Sequence, residues 1–333
     1  MSDLTLRDIA KKAGVSITTV SRALNNKPDV SSKTKDKILS IVKKSGYTPN
    51  LLAKSLRCQK SKTIGVVLAD ISNPFFAAIA KGIEDTAHKR GYSIILVNTD
   101  EEYEKEKEAL RVLVEKRVDG FLITPVQKEY KDILRIKERR IPLVLLARHF
   151  DAIETNSVVN DDELGGFLAT EYLIQKGHKR ILYISGPLYN SSALERLNGY
   201  KRALKEHQIQ FEEKLVRGYT AKMGKVYTLM KEIVKEKLNF TAIFTFSDFL
   251  ALGVMKAIRE EKLKIPDDVA VVGYDDIEFA SFLETPLTTV HMRKYRLGME
   301  GTNILIDEIE GKKVGEKPNT LTIKPELIVR KST

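Results

Sequence analysis

"GVSITTVSRALN", residues 14–25, decides how the amino-terminal part of this chain folds. Gly14 and Ser16 open a short helical run, and Val20 and Leu24 recur at the spacing of one buried helix face. Around them stand small polar groups and one guanidinium: Ser16, Thr18, Thr19, Ser21 and Arg22. Ahead of this run, Leu6, Ile9, Ala10 and Ala13 predict a first helix over about 6–13, with Thr5 placed to cap it. Gly14 ends that helix, since glycine adopts the positive φ of a tight turn without steric cost. Past the loop "NNKPDV", Ser31 or Ser32 caps a third helix, with Ile38, Leu39, Ile41 and Val42 on its apolar side and Gly46 as its stop. A helix packed across a second one through a glycine turn leaves the outer side of the second free to reach base edges. Ser16, Thr18, Thr19, Ser21 and Arg22 can hydrogen-bond there. Ile17 either touches a thymine methyl or joins the core beside Val20.

Charge points the same way. Residues 1–60 hold 13 Lys or Arg against 4 Asp and no Glu, so +9 of the chain's net +11 lies in its first sixth. Helix-period apolar residues in the same segment favour a folded polyanion-binding head over a basic tail. The next stretch, "YTPNLLAKSLRCQKSKT", bars a helix before Pro49 and allows about two turns from Asn50 to Arg57. So short a helix is unstable alone in water and needs a second copy of itself, a duplex, or both.

From Thr63 onward, apolar runs bounded by turns alternate with amphipathic helical stretches: "TIGVVLA", "YSIILVN", "VDGFLIT", "IPLVLLA", then "RILYIS", "AIFTF" and "VAVVGY". Buried parallel strands with crossover helices read this way, and two successive sets predict an α/β body of two doubly wound lobes. A hinge is expected near Asn160 to Gly166, and late strands near "LTTV" and "NTLTIKPELIVR" return the chain between lobes. Asp275 falls at a strand's carboxyl end, where such sheets bind ligands. Its neighbour Asp276 should point to the opposite face.

Several classes are disfavoured. No apolar run approaches the roughly 18–20 residues of a membrane span, and the first 30 residues lack the apolar core of a secretory signal. Cys58 is the only cysteine, so no intrachain disulfide or cysteine cluster forms. The five histidines show no close metal spacing, and neither a phosphate-binding glycine loop nor a nucleophile elbow occurs. We therefore expect a cytoplasmic, nucleoid-associated protein without cofactor, metal or catalytic residues.

The chain resembles the LacI/GalR family of bacterial transcription regulators. The resemblance rests on "TLRDIAKKAGVSITTVSRALN" and "VSSKTKDKILSIVKKSGYTPNLLAKSLR", and continues through "IGVVLADISNPFF", "GHKRILYISGP", "SDFLALGVMKAI" and "IPDDVAVVGYDD" to "PLTTV". It implies an all-α helix-turn-helix head over residues 1–48, a hinge helix and linker over 49–62, and a periplasmic-binding-protein-like core over 63–333. Lobe one would take about 63–161 and 292–323, and lobe two about 162–291 and 324–333. The implied function is an effector-controlled repressor acting as a homodimer on a pseudo-palindromic double-stranded DNA operator. By the same resemblance Ile17, Thr18 and Arg22 face bases, while Ser16, Thr19, Ser21 and Asn25 face phosphates. Thr5, Ser31, Thr34 and Tyr47 lie near the backbone. Asn50, Ala53 and Leu56 match the hinge helix, whose leucine wedges into the minor groove.

In the cleft the resemblance implies Asn73, Phe75 and Phe76 on the first loop, with Arg148, Ser192, Arg196, Tyr219 and Asp275 around the ligand. Two departures stand out: Ala147 where an acidic residue is common before the arginine, and Ser247 where an asparagine is common. Aromatic walls with charged clamps favour a sugar as the small-molecule effector. The alternative is an activator or global regulator responding to a nucleobase, a sugar phosphate or a phosphocarrier protein. Induction and corepression are equally open.

Overall fold

Thr5 opens the described part of the chain as a reciprocal cap: Asp8 N donates to its hydroxyl, and its own amide donates to the Asp8 carboxylate at 2.9 Å. The computed structural model describes residues 5–24, 26–45, 61–312 and 318–333. The expectations for Asn25, Gly46, Tyr47 and the hinge helix with Asn50, Ala53 and Leu56 lie outside those residues. Two compact units divide between Ser61 and Lys62, and each is described by itself.

In the first unit α1 (Leu6–Ala13), α2 (Ile17–Leu24) and α3 (Ser32–Ser45) pack on one another around Ile9, Ala10, Ala13, Val20, Ala23 and Ile38. Gly14 makes the turn after α1 at φ 69°. Ser16 caps α2, accepting from Thr19 N at 3.0 Å. Of the two candidate caps for α3 it is Ser31 that accepts, from Thr34 N at 3.3 Å. Leu39 departs from its expected place on the apolar side. It is exposed, because Ile38 alone of that pair turns inward and Ile41 and Val42 only flank the core.

The second unit contains two six-stranded sheets. Its elements run β1 (Thr63–Leu68), α4 (Pro74–Lys89), β2 (Ser93–Asn98), α5 (Tyr103–Glu115), β3 (Gly120–Ile123), α6 (Lys131–Glu138), β4 (Leu143–Leu146), β5 (Asn156–Asn160) and α7 (Asp162–Gln175). Then come β6 (Ile181–Ser185), α8 (Ser191–Glu206), β7 (Val216–Gly218), α9 (Met223–Lys235), β8 (Ala242–Thr245), α10 (Asp248–Glu260), β9 (Ala270–Asp275), β10 (Thr288–His291), α11 (Lys294–Ile309), β11 (Thr320–Ile323) and β12 (Glu326–Ile328). Sheet order is β11-β5-β4-β3-β1-β2 in one lobe and β12-β10-β9-β8-β6-β7 in the other. All pairings are parallel except β10 with β12. Continuous burial of β1, β3, β4, β6, β8 and β9 explains their unbroken apolar runs, since helices cover both faces.

The chain passes between sheets three times: from β5 into α7, from β10 into α11, and from β11 to β12. Helix α11 returns to pack along α4, and α7 lies along α8. Gly166 permits the second contact, because a Cβ there would stand 2.3 Å from the Arg196 carbonyl oxygen. Among the described residues no helix is long and apolar enough to cross a membrane.

Candidate functional site

In the first unit the outer side of α2 is the exposed one. Ser16, Ile17, Thr18 and Arg22 are exposed and Thr19 is half-buried. Ile17, 46% exposed, therefore stays out of the core, which Val20 and Ala23 fill from the same helix. Ser21 is the exception among the expected contacts: at 9% exposure it is buried, since it follows Val20 onto the inner face. Arg22 holds Asp29 at 2.6 Å across the loop after the helix, and both side chains are about half exposed. Thr5, Ser31 and Thr34 serve as local structure here. Thr5 Oγ1 donates to Asp8 at 2.6 Å, and the Ser31 and Thr34 hydroxyls share a bond of 2.9 Å.

In the second unit the expected residues gather at the carboxyl ends of both sheets, where open α/β folds bind ligands. Left-handed residues mark this edge. Asp100, Glu101, Gln127, Ala147, Tyr219, Asp275 and Asp276 all have positive φ, and each follows or ends a strand or its loop. Non-glycine residues held so accumulate at ligand sites.

On the lobe-one side, Asn73 caps α4 by accepting from Phe75 N at 3.0 Å. Phe75 and Phe76 are buried edge to face, 5.1 Å apart. The buried Arg148 guanidinium lies 5.9 Å above Phe76 and grips both carboxylate oxygens of Glu101, at 3.0 and 2.5 Å. It also donates to Pro125 O at 2.8 Å. Thus the negative charge absent at Ala147 is supplied by Glu101, which lies 47 residues away in the sequence and which sequence reasoning missed. Behind the pair, buried Glu106 of α5 accepts from Val126 N at 2.7 Å. Burial pushes its carboxyl up to about 7, although that bond and Arg148 oppose the shift.

On the lobe-two side, Arg196 of α8 is buried between aromatic faces, 3.6 Å from the centre of Tyr274 and 4.6 Å from that of Phe246. Its Nε donates to Asp162 at 2.8 Å and one terminal nitrogen donates to Phe246 O. Asp275 stands 3.8 Å from it. Burial works against the Arg196 charge, yet Asp162 and Asp275 hold it firmly protonated. Burial pushes the Asp275 carboxyl well above its usual range, against the pull of Arg196. Asp276 turns away to bond Arg330 at 2.6 Å and His291 at 2.8 Å, so the two aspartates do face apart. Ser192 donates to Asn190 Oδ1 at 2.7 Å, while the Asn190 Nδ2 donor is buried with no partner. Ser247 caps α10 through Leu250 N at 3.2 Å. Tyr219 is more open than a wall residue should be: 46% of it is exposed, with its hydroxyl donating to Val216 O. Asp162, Tyr274 and Phe246 were also missed by sequence reasoning; position at a strand or crossover end was the available signal.

The lobes meet directly beside these groups. Gln127 Oε1 accepts from Ser191 N at 2.8 Å, and its Nε2 donates to His149 O at 2.5 Å. His149 N in turn donates to Ser191 Oγ at 3.3 Å. Since Arg148 precedes His149 and Ser192 follows Ser191, this bridge brings the two sides into one cleft. Among the described residues no cluster of His, Cys, Asp or Glu could hold a metal ion.

Comparison with known proteins agrees with this geometry. Residues 5–50 match the model of the bacterial regulatory proteins of the lacI family, and 61–331 match that of periplasmic binding proteins and the sugar binding domain of the LacI family. The chain is 35% identical to the HTH-type transcriptional repressor PurR of Vibrio atlanticus, over 98% of this chain and 97% of that one. It is 36% identical to the PurR of Histophilus somni, over 98% of each. Among solved structures it is similar to the lac repressor dimer bound to operator and the anti-inducer ONPF, with TM-score 0.89, 30% identity and 99% of both chains covered. A complex of the transcriptional regulator CelR with cellobiose superposes with TM-score 0.77 at 29% identity, covering 99% of this chain and all of that one. The chain belongs to the LacI family of bacterial regulatory proteins. It is a DNA-binding transcriptional repressor of that type, with a helix-turn-helix head and a two-lobed α/β effector-binding core.

Proposed function

We propose that this repressor binds a pseudo-palindromic operator as a homodimer and is switched by a sugar held in the interlobe cleft. Arg22, Thr18 and Ile17 read base edges from the exposed side of α2, while Ser16 and Thr19 position the helix on phosphates. Thr5, Ser31, Thr34, Asn25 and Tyr47 are assigned to the backbone, with Ser21 contributing less because it is buried. Asn50, Ala53 and Leu56 form the hinge that enters the minor groove. Two exposed apolar surfaces support the dimer: edge strand β2 with Ile95 and Leu96, and the turn bearing Phe279 and Phe282, the latter 78% exposed. The protein acts in the cytoplasm, at the nucleoid, and is not an enzyme.

The effector assignment rests on one observation: a buried guanidinium–carboxylate pair stands at the carboxyl edge of each sheet, beside aromatic rings. A sugar presents hydroxyls to such pairs and an apolar ring face to the aromatics. Asn73, Phe75, Phe76, Arg148, Ser192, Arg196, Tyr219, Ser247 and Asp275 are the proposed contacts or their immediate supports. Several related domains carry sugars in their crystals, ribose and D-xylulofuranose among them. The deciding experiment is a thermal-shift panel of sugars and nucleobases, followed by operator titration with each hit. A ligand at 100 times its dissociation constant should stabilise the fold by about 2.7 kcal/mol. A hit that shifts melting but leaves operator affinity unaltered would remove the allosteric reading.

A further inference from the structure

Phosphorylated ligands are held by two devices in proteins: a guanidinium or ammonium with unspent charge, and free backbone amides at a helix amino terminus. In this cleft the structure commits both to other partners. Arg148 is matched oxygen for nitrogen by Glu101, at 3.0 and 2.5 Å. Arg196 is matched by Asp162 at 2.8 Å, with Asp275 as a second carboxylate at 3.8 Å. Lys294, the remaining buried cation beside Asp275, donates to the carbonyl oxygens of Asp275 and Asp276. The helix amides are likewise taken. Phe75 N goes to Asn73 Oδ1 at 3.0 Å, Ser191 N to Gln127 Oε1 at 2.8 Å, Ser192 N to Asn190 Oδ1 at 3.0 Å and Leu250 N to Ser247 Oγ at 3.2 Å.

What remains unspent is of the opposite kind. No hydrogen-bond donor reaches the Asp275 side chain, whose nearest cation, Arg196, lies beyond bonding distance. The Asn190 Nδ2 donor is buried and unpartnered a few residues from Arg196. Glu195, next to Arg196 in the sequence and 3.7 Å from His149, adds a further carboxyl on the lobe-two side. A dianion placed here would meet Glu101, Asp162, Asp275 and Glu195 with no uncommitted cation to offset them, and desolvation makes that costly.

We propose that the cleft takes an uncharged, hydroxyl-rich effector that donates to the Asp275 carboxylate, and rejects its phosphorylated counterpart. This rests on the reading of the cleft as the effector site and narrows the ligand class within it. The full-length protein is titrated calorimetrically with matched pairs: ribose and ribose 5-phosphate, glucose and glucose 6-phosphate, adenosine and adenosine 5′-phosphate. Inorganic phosphate is titrated into wild type and into Glu101→Gln, which frees the Arg148 guanidinium. The expected result is a neutral member that binds at least 100-fold more tightly than its phosphate, no phosphate binding by wild type, and at least tenfold tighter phosphate binding by Glu101→Gln. Asp275→Asn should weaken the neutral ligand at least tenfold. Phosphorylated members binding more tightly, with that binding lost in Arg148→Met or Arg196→Met, would overturn the charge argument and leave the effector cleft standing. If neither member of any pair binds and Glu101→Gln gains nothing, the cleft reading itself falls, and the proposal with it.

Discussion

Arg22 and Asp29 illustrate how a single side chain can be held ready before it meets a base. Their contact of 2.6 Å is half exposed, so it adds at most about 1 kcal/mol to folding, but it fixes where the guanidinium fork points. Arg22→Ala should cost about 1–3 kcal/mol of operator affinity and relax preference at one base pair per half-site. Equilibrium binding to operators varied one pair at a time gives the answer. A uniform loss across all variants would reassign Arg22 to phosphate. Glu106 supports a second residue-scale prediction, about pH. Its carboxyl is raised from an ordinary 4.5 to about 7 by burial, so the folded protein binds a proton that the unfolded chain has lost. Stability from this group is fully present below about pH 4.5 and disappears as pH rises through 7, a change of about 3 kcal/mol. Glu106→Gln keeps an acceptor for Val126 N but does not titrate. Its stability relative to wild type should therefore increase from pH 5 to pH 8 in denaturant titrations, and a constant difference would contradict the assignment.

At the scale of elements, the two long helices α7 and α8 carry Asp162 and Arg196 toward each other, and their spacing depends on glycine. Gly166→Ala puts a methyl 2.3 Å from the Arg196 carbonyl, a backbone atom that cannot swing aside. Overpacking of this kind should cost about 1–3 kcal/mol and weaken effector binding by displacing Arg196. Lowered thermal stability with unchanged ligand affinity would show that the site tolerates the shift. Much at this scale was legible in the sequence. Helices α1 and α2 and their caps followed from a 3.6-residue period bounded by Thr5, Gly14 and Ser16, because local chemistry alone specifies them. Strands β1, β3, β4, β6, β8 and β9 announced themselves as apolar runs. By contrast β5, "NSVVN", and the three-residue β7 carry too little apolar sequence to stand out, and they exist because neighbouring strands pair with them. The same reason hid the partners in the cleft. Glu101 meets Arg148 and Asp162 meets Arg196 only after separate strands have aligned their carboxyl ends, an event no local pattern encodes.

For the whole molecule, charge and function separate along the chain: the basic excess lies in residues 1–60, while the remainder is nearly balanced at +2. Operator affinity should therefore depend steeply on salt, by about 0.9 in log–log slope for each phosphate met, whereas uncharged effector binding should barely respond. This difference makes a linkage test clean. If one effector molecule per subunit alters operator affinity by some factor, operator must alter effector affinity by the same factor, whichever sign the switch has. Coupling of about 1–3 kcal/mol corresponds to roughly 5- to 150-fold, within reach of titrations performed in both directions. We expect the two factors to agree at each salt concentration even as the operator affinity itself falls. Agreement at low salt that disappears when operator contacts are screened would mean that the effector acts on dimer assembly. That would be read directly as an operator affinity dependent on protein concentration.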